Sequence, residues 1–538
     1  MTGTSGSGTS GTIPALLAAA VDRRGDRTAI VESDGRLTWR ELQDEARRFG
    51  AALVDAGVAP GDRVAIWAPN GLRWVVAALG LLSAGATLVP VNTRFKGVEA
   101  GEILARTRAR ALVTVTDFLG TDHLALLRAG GVPLPHLATV VIAQGPTPTD
   151  GDEVAWDDFL DAASDGAHAE VEARAAAVTP DDESEILFTS GTTGVPKGVV
   201  QTHRSTLQVA TDWVAMTGLD EDDRYLMVNP YFHMFGWKAG ILACVASGAT
   251  MLPEPVFDVD RALARVAAEQ VTVLPGAPTL YRSILDHPDR DRHDLGSLRL
   301  AVTGAADIPV ELIHRIRTEL PFELVLSGYG LTEAGTASGT VPEDDAEAIA
   351  TTVGRARPGF EVRIVDGDRD VALGETGEVL LRGGSVMVGY LDDPAGTAEA
   401  LSPDGWLRTG DLGTLDERGY LRIVGRSKDM FIVGGFNAYP AEIENFLLRH
   451  PDVQQAAVIG IPDERLGEVG MAYVVLAPGS TATGDGIIAW AREQMANYKV
   501  PRVVEAIDEI PLNATGKVAK EDLRARAAAT RPAASTQP

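Results

Sequence analysis

One stretch joins an apolar run to a loop rich in glycine and hydroxyls and containing a single lysine: Ile186-Leu187-Phe188-Thr189-Ser190-Gly191-Thr192-Thr193-Gly194-Val195-Pro196-Lys197. Glycines permit backbone angles that turn several N–H groups toward one point. The hydroxyls add short donors, and the lysine adds a mobile positive charge, so the set suits phosphate oxygens. It is not a Walker A loop: counted from Gly191, Pro196 stands where the second glycine belongs, and Gly198 where the magnesium-binding hydroxyl belongs. A flexible linker rarely pairs an apolar run with one isolated lysine.

Three further segments are dense in functional residue types. Tyr231-Phe232-His233-Met234-Phe235-Gly236 sets a histidine among aromatics, and Val302-Thr303-Gly304-Ala305-Ala306 ends an apolar run in residues too small to block a flat ligand. Ser327-Gly328-Tyr329-Gly330-Leu331-Thr332-Glu333 offers an aromatic face, a hydroxyl and a carboxylate. Tyr329 can stack on a base while Glu333 holds a metal beside phosphates. Taken singly, each has an ordinary reading: His233 as a satisfied core histidine, Glu333 as a carboxylate at a helix start.

The elements that must position these groups are legible as a pattern. Helical stretches alternate with short apolar runs at 63–67, 111–115, 139–142, 271–274 and 298–302, the grammar of an α/β sheet whose ligand groups sit beyond the carboxyl ends of parallel strands. After about Val353 the runs at 361–365, 377–381 and 420–424 alternate with Gly/Asp turns and predict a small antiparallel lobe. Past Arg426 an amphipathic helix opens at Pro440 with Ile443, Phe446 and Leu447 on one face, followed by apolar runs at 456–461 and 471–476 and a helix over about 486–494. Residues 74–91 are uncharged but interrupted by Ser83-Ala84-Gly85-Ala86-Thr87 and closed by Pro90, which predicts a buried helix and a short strand at 87–89, not a membrane span. The first dozen residues lack the apolar region of a signal peptide and read as a disordered tail; their Gly6-x-Gly8-x-x-Gly11 follows no strand and carries no weight.

Composition narrows the function. The chain has 538 residues, 45% of them hydrophobic, enough for several cores. A net charge of −27 argues against nucleic acid or an anionic membrane as partner. Residues 426–538 hold 12 Lys+Arg and 14 Asp+Glu, so an anionic ligand meets least repulsion there. The single cysteine, Cys244, excludes an intramolecular disulfide and fits a reducing cytoplasm.

The motifs in order, from the phosphate loop through Tyr329-Gly330-Leu331-Thr332-Glu333, Thr409-Gly410-Asp411 and Gly425-Arg426-Ser427-Lys428-Asp429 to Asn513-Ala514-Thr515-Gly516-Lys517, resemble the adenylate-forming superfamily of acyl-CoA synthetases, adenylation domains and beetle luciferases. The resemblance runs from about residue 13 to 527. The stretches at 235–244 and 434–442 are most similar to the actinobacterial subgroup that activates the propanoate side chain of steroid-derived indanediones. It implies an α/β fold: a large AMP-binding region, 13–425, of two α/β sheet subdomains plus a small β-barrel-like lobe. A small mobile α+β lid follows over 426–527, and residues 1–12 and 528–538 are tails.

The resemblance implies that an acid reacts with ATP and Mg²⁺ to give acyl-AMP and pyrophosphate, and that coenzyme A then displaces AMP. Thr189, Ser190, Gly191, Thr192, Thr193, Gly194 and Lys197 would hold the β and γ phosphates, with Thr332 beside them and Glu333 carrying the metal. Tyr329 would stack on adenine, with Gly304, Ala305, Ala306 and Ser327 around it. Asp411 and Arg426 would take the ribose, and His233 would sit between the carboxylate and the acyl pocket shaped by Trp237. Lys517 would bridge the carboxylate and the α-phosphate. Lys428 would be the hinge about which the lid turns to bring up Gly434 and Gly435 for the pantetheine arm. Partners are thus small molecules, with a monomer or a homodimer both open. An amino-acid-activating domain is disfavoured because His233 replaces the aspartate that would bind an amine. A fatty acid–CoA ligase, a ligase loading a separate carrier protein, and a non-catalytic ATP sensor stay as alternatives.

Overall fold

A computed structural model describes residues 11–530 apart from 34, 149–150, 190–195, 305–309, 427–428, 434–435, 464, 496 and 514–516. The expectations for the N-terminal residues 1–10 and for 531–538 therefore lie outside the described residues.

The alternating apolar runs form two sheets covered by helices. One has eight strands in the order Gly389–Tyr390, Lys197–Thr202, Glu183–Thr189, Thr87–Pro90, Arg63–Trp67, Ala111–Val115, Thr139–Gln144 and Val154–Ala155. From Glu183–Thr189 onward neighbours are parallel, whereas the first three strands pair antiparallel. The second surface comprises two four-stranded sheets, Arg224–Met227, Thr250–Pro253, Thr28–Glu32 and Gly35–Thr38, and Leu300–Gly304, Leu324–Leu331, Gly335–Gly339 and Arg355–Ala356. Val273 bridges Tyr225 on one side and Leu300 on the other and joins them. The expected strand at 271–274 is this short link: the Thr272 and Leu274 N–H groups donate to the carbonyls of Arg224 and Leu300, each at 3.0 Å. Gln270 before it holds a left-handed backbone (φ 49°), and Pro275, which has no N–H to donate, follows it.

Local sequence explains the helices that cover the sheets. Trp39–Asp55 begins with a capping box in which Thr38 Oγ1 accepts from the Glu41 N–H and the Glu41 carboxylate accepts from the Thr38 N–H. It buries Trp39, Leu42, Ala46, Phe49 and Leu53, spaced three and four apart. It crosses the helix Leu72–Ser83 so closely that a Cβ on Gly80 would meet the Ala46 carbonyl oxygen at 2.5 Å. That second helix has 12 residues, about 18 Å at 1.5 Å per residue, too short for the ~30 Å hydrocarbon core of a bilayer. Among the described residues no helix is long and apolar enough to cross a membrane.

The antiparallel lobe follows as expected, in the order Arg369–Asp370, Phe360–Asp366, Gly377–Gly383, Leu407–Leu415 and Leu421–Arg426. Its core of Ile364, Val379, Leu381 and Leu421 is the surface on which Tyr329 and Tyr390 rest. In the last part of the chain Gly467–Leu476 pairs with Phe431–Val433, Val453–Asp463 and Val503–Ala506. The helix Pro440–Leu447 buries Ile443 and Leu447 against that sheet, while Phe446 is only half buried and carries the Arg449 guanidinium over its ring at 4.7 Å.

Candidate active site

The lysine of the phosphate loop is placed by hairpin register. Glu183–Thr189 and Lys197–Thr202 pair so that Lys197 stands opposite Thr189, at the two ends of the loop. Ser190, Gly191, Thr192, Thr193 and Gly194 lie outside the described residues. Ile186, Leu187 and Val199 bury this base in the core, so the loop springs from a rigid platform. From the same strand as Lys197, the Gln201 side chain donates to the carbonyl oxygen of Thr332 at 3.2 Å. Next in sequence, Glu333 accepts at Oε1 from the Tyr390 hydroxyl at 3.1 Å, and Lys197 Nζ lies 4.5 Å from the centre of the Tyr390 ring. Lys197, Thr332 and Glu333 are thereby held together. The residues that hold them, Gln201 and Tyr390, were not legible as functional: a glutamine inside a strand and a Gly-Tyr pair before a turn are ordinary features.

The opposite end suits a nucleoside. Gly304 and Gly328 are register partners on parallel strands, and a Cβ on Gly304 would meet the Gly328 carbonyl oxygen at 2.8 Å. Their bare backbones leave a flat floor beside Tyr329; Ala305 and Ala306 lie outside the described residues. The Tyr329 hydroxyl donates to Asp411 Oδ2 at 2.5 Å, and Arg426 Nε lies 3.0 Å from Asp411 Oδ1. Asp411 and Arg426 are direct antiparallel partners, and Thr409 Oγ1 accepts from the Asp411 N–H at 3.0 Å. Only 4% exposed, Asp411 is a carboxylate fixed on both oxygens with lone pairs to spare for ribose hydroxyls. Burial, and then the Asp411 charge, push the Tyr329 phenol well above its ordinary pKa, so it stays a donor.

Ser327 does not join this group. Its hydroxyl is 2% exposed and donates to the carbonyl oxygens of Ile349 and Thr352, which makes it a framework residue of the strand carrying Tyr329. Trp237 is likewise fully buried, packed against Trp74 with ring centres 5.7 Å apart.

His233 caps a short helical turn and runs into a π-helix, Trp237–Leu242. The Phe235 N–H donates to His233 Nδ1 at 3.2 Å. Burial first, and then Lys517, lower the His233 pKa to about 4. The ring is therefore neutral at pH 7, with Nδ1 accepting and Nε2–H left as a donor toward an acid. Adenylation is accordingly expected to show no ionisation of His233 between pH 5.5 and 7.5. A pH profile of pyrophosphate release with a limb near 6.5 that disappears in His233→Gln would contradict this.

Lys517 arrives from the other end of the chain. Its turn is closed by the Asn513 N–H donating to the Lys517 carbonyl at 2.7 Å and by the Lys517 N–H donating to Asn513 Oδ1 at 3.0 Å. The residue keeps solvent contact at the rim, yet protein crowded around its ammonium lowers its pKa. Arg426 lowers it further, while Asp411 and Glu333 pull the other way. Lys517 thus feels the ribose-end carboxylate, the phosphate-end carboxylate and His233 together. Lys428, Gly434 and Gly435 lie outside the described residues.

These groups fit a nucleoside triphosphate and one hard cation. No group of three or more His, Cys, Asp or Glu is gathered among the described residues, so a metal would be held by Glu333 and by phosphate oxygens, the usual manner of Mg²⁺. Glu333 spends Oε1 on Tyr390, and among the described residues no hydrogen-bond donor to Oε2 is found.

Comparison with known proteins gives the family. The AMP-binding enzyme model matches residues 17–391 and the AMP-binding enzyme C-terminal domain model matches 442–517. A 3-[(3aS,4S,7aS)-7a-methyl-1,5-dioxo-octahydro-1H-inden-4-yl]propanoyl:CoA ligase of Rhodococcus jostii is 51% identical over 515 residues, 95% of this chain and 98% of the relative. The ligase of the same description from Mycobacterium tuberculosis is 50% identical over the same shares. Among solved structures, the anthranilate CoA ligase AuaEII in complex with anthranoyl-AMP superposes with a TM-score of 0.88 at 30% identity, covering 96% of this chain and 98% of that one. The chain belongs to the AMP-binding enzymes, and within them to the acyl-CoA synthetases, acid–thiol ligases that use ATP and coenzyme A.

Proposed function

We propose that the acid this ligase activates is a steroid-derived polycyclic propanoate, and that Lys517 is the group at which the acid and ATP are brought to react. One observation carries the second part: a lysine near the C-terminus lies within electrostatic reach of Asp411, Glu333, Arg426 and His233 at once. The first part is supported by the half-identical relatives, whose substrate is an indanedione propanoate.

The chemistry follows from what the residues offer. A free carboxylate acylates poorly because its leaving group would be an oxide. Its oxygen therefore attacks the α-phosphorus of ATP; the new O–P bond forms as the α–β bridging bond breaks and pyrophosphate departs. Lys517 offsets charge developing between carboxylate and α-phosphate, and the His233 Nε2–H orients the acid. Lys197, Thr189, Thr332 and the loop between them hold the departing phosphates, and Mg²⁺, when bound, neutralises phosphate charge. Tyr329, Asp411 and Arg426 fix the nucleoside. In the second half-reaction the coenzyme A sulfur attacks the acyl carbon, forming C–S as the C–O bond to AMP breaks. We assign residues 13–425 to the AMP-binding region and 426–527 to a lid pivoting at Lys428, which withdraws Lys517 and presents Gly434 and Gly435 to pantetheine. A cytoplasmic setting, where the free Cys244 thiol persists, suits this use of ATP and coenzyme A.

Pyrophosphate release over a panel of steroid-derived and straight-chain acids, with and without coenzyme A, tests the assignment. The expected result is strong preference for a fused-ring propanoate, with thioester formed from coenzyme A. Preference for aliphatic acids overturns the substrate, and thioester formation only on a carrier protein overturns the acceptor.

A further inference from the structure

The segment from Met387 to Leu391 touches both halves of the triphosphate end. The Met387 N–H donates to the Glu333 carbonyl at 2.7 Å; the Val388 and Leu391 N–H groups donate to the carbonyls of Val200 and Gly198 at 3.0 and 2.7 Å. Gly389 and Tyr390 are register partners of Val200 and Val199. The segment is thus a short edge strand clipped to the strand of Lys197 at one end and to the backbone of Glu333 at the other. Its own geometry is fixed from the following turn: Thr397 Oγ1 accepts from the Tyr390 N–H at 2.8 Å, and Asp393 caps the helix Pro394–Ala400.

Tyr390 is the side chain that uses this position. Its hydroxyl donates to Glu333 Oε1, and its ring lies beneath the Lys197 ammonium. The first contact fixes one carboxylate oxygen; the second holds a long, flexible cation by the ring's negative face. The phenol carries one proton, and the 3.1 Å contact aims it at the Glu333 carboxylate, which can only accept. The two contacts are separable, since one uses the oxygen and the other the ring.

We propose that Tyr390 is a positioning residue that sets the Glu333 carboxylate and the Lys197 ammonium at a fixed spacing before ATP arrives; this rests on reading Glu333 as the metal carboxylate. Its hydroxyl governs the Mg²⁺-dependent part of nucleotide binding and its ring the Mg²⁺-independent part.

Calorimetric titration of ATP into the full-length protein without acid, in Mg²⁺ and in EDTA, separates the two. Tyr390→Phe is expected to weaken ATP binding about tenfold in Mg²⁺, the scale of one hydrogen bond to a charged group, and to leave binding in EDTA unchanged. Tyr390→Leu is expected to weaken both. In a Glu333→Gln background Tyr390→Phe should add nothing, and thermal midpoints should show that both variants are folded. Wild-type Mg²⁺ binding in Tyr390→Phe, or full additivity with Glu333→Gln, overturns the inference while leaving Glu333 in place. If Glu333→Gln itself keeps wild-type Mg²⁺ binding, the metal reading fails and this inference fails with it. Equal losses in Mg²⁺ and EDTA for Tyr390→Phe would mean the hydroxyl only supports the fold, and would also overturn it.

Discussion

Replacing Lys517 by alanine is expected to slow acyl-AMP formation by about 10²–10³-fold while sparing thioester formation from supplied acyl-AMP. The size is that of removing one preorganised electrostatic donor, about 3–4 kcal/mol. The split between half-reactions follows from the geometry. Among the described residues Lys517 is the lysine whose surroundings include Asp411, Glu333, Arg426 and His233, the groups of the proposed adenylation arrangement, and it is held by Asn513. A lid that swings away takes the lysine with it, so the second step should not need it. Lys197 supplies a control. It sits over the Tyr390 ring beside Glu333, and in the proposed scheme it would steady the leaving group and not meet the attacking oxygen. Lys197→Ala should therefore slow adenylation less than Lys517→Ala. Single-turnover measurement of both steps decides: equal loss of both steps in Lys517→Ala removes the two-orientation scheme, and a reversed ranking exchanges the roles of the two lysines.

How much of this was legible in the sequence depended on how locally each feature is encoded. The hairpin that puts Lys197 opposite Thr189 needs only an apolar strand, a glycine loop and another strand, and the apolar run and the loop were readable there. The Asp411–Arg426 pair was readable as two neighbouring motifs, though their direct opposition depends on a register that shifts between Leu412 and Gly413, which no pattern announces. Ser327 stood among functional residues in the sequence, and alternation puts it on the same face of its strand as Tyr329, but its hydroxyl is taken up by the carbonyls of Ile349 and Thr352, partners that no local pattern announces. Tyr390 was invisible because its meaning lies in two contacts made by different atoms to residues on different elements. The apolar run at 271–274 pairs on both sides as its pattern suggests, and is kept short by the left-handed backbone at Gln270 and by Pro275, which has no N–H to donate.

The largest expected loss of stability lies beneath the site. Lys238, inside the π-helix, approaches Glu185 Oε1 at 2.8 Å, and both side chains are 0% exposed. A lysine in the run Phe235-Gly236-Trp237-Lys238-Ala239-Gly240-Ile241 would ordinarily reach solvent; here it is held inside by a carboxylate that also accepts from Ser184 and Thr206 hydroxyls, each at 2.5 Å. The Nζ approach lacks hydrogen-bond alignment, so the lysine contributes charge more than directed bonding. Such a pair stabilises little when weighed against an apolar replacement, but breaking it leaves one buried charge uncompensated, at a cost of about 3–5 kcal/mol. Lys238→Met and Glu185→Gln should each lower the thermal midpoint by several degrees, and Lys238→Met/Glu185→Gln should recover much of the loss because no net charge stays buried. Additive losses in the double variant would show that the two residues act separately. The consequence reaches the chemistry because Glu185 lies on the strand that ends at Thr189, while Lys238 follows His233 in the chain. The pair ties the base of the 189–197 loop to the segment that carries His233, the residue proposed to orient the acid, and a shift of about 1 Å between reacting groups can cost about 10²-fold in rate. The folded double variant is therefore expected to regain stability before it regains adenylation: a restored midpoint with kcat for pyrophosphate release still depressed is the result that separates positioning from mere packing.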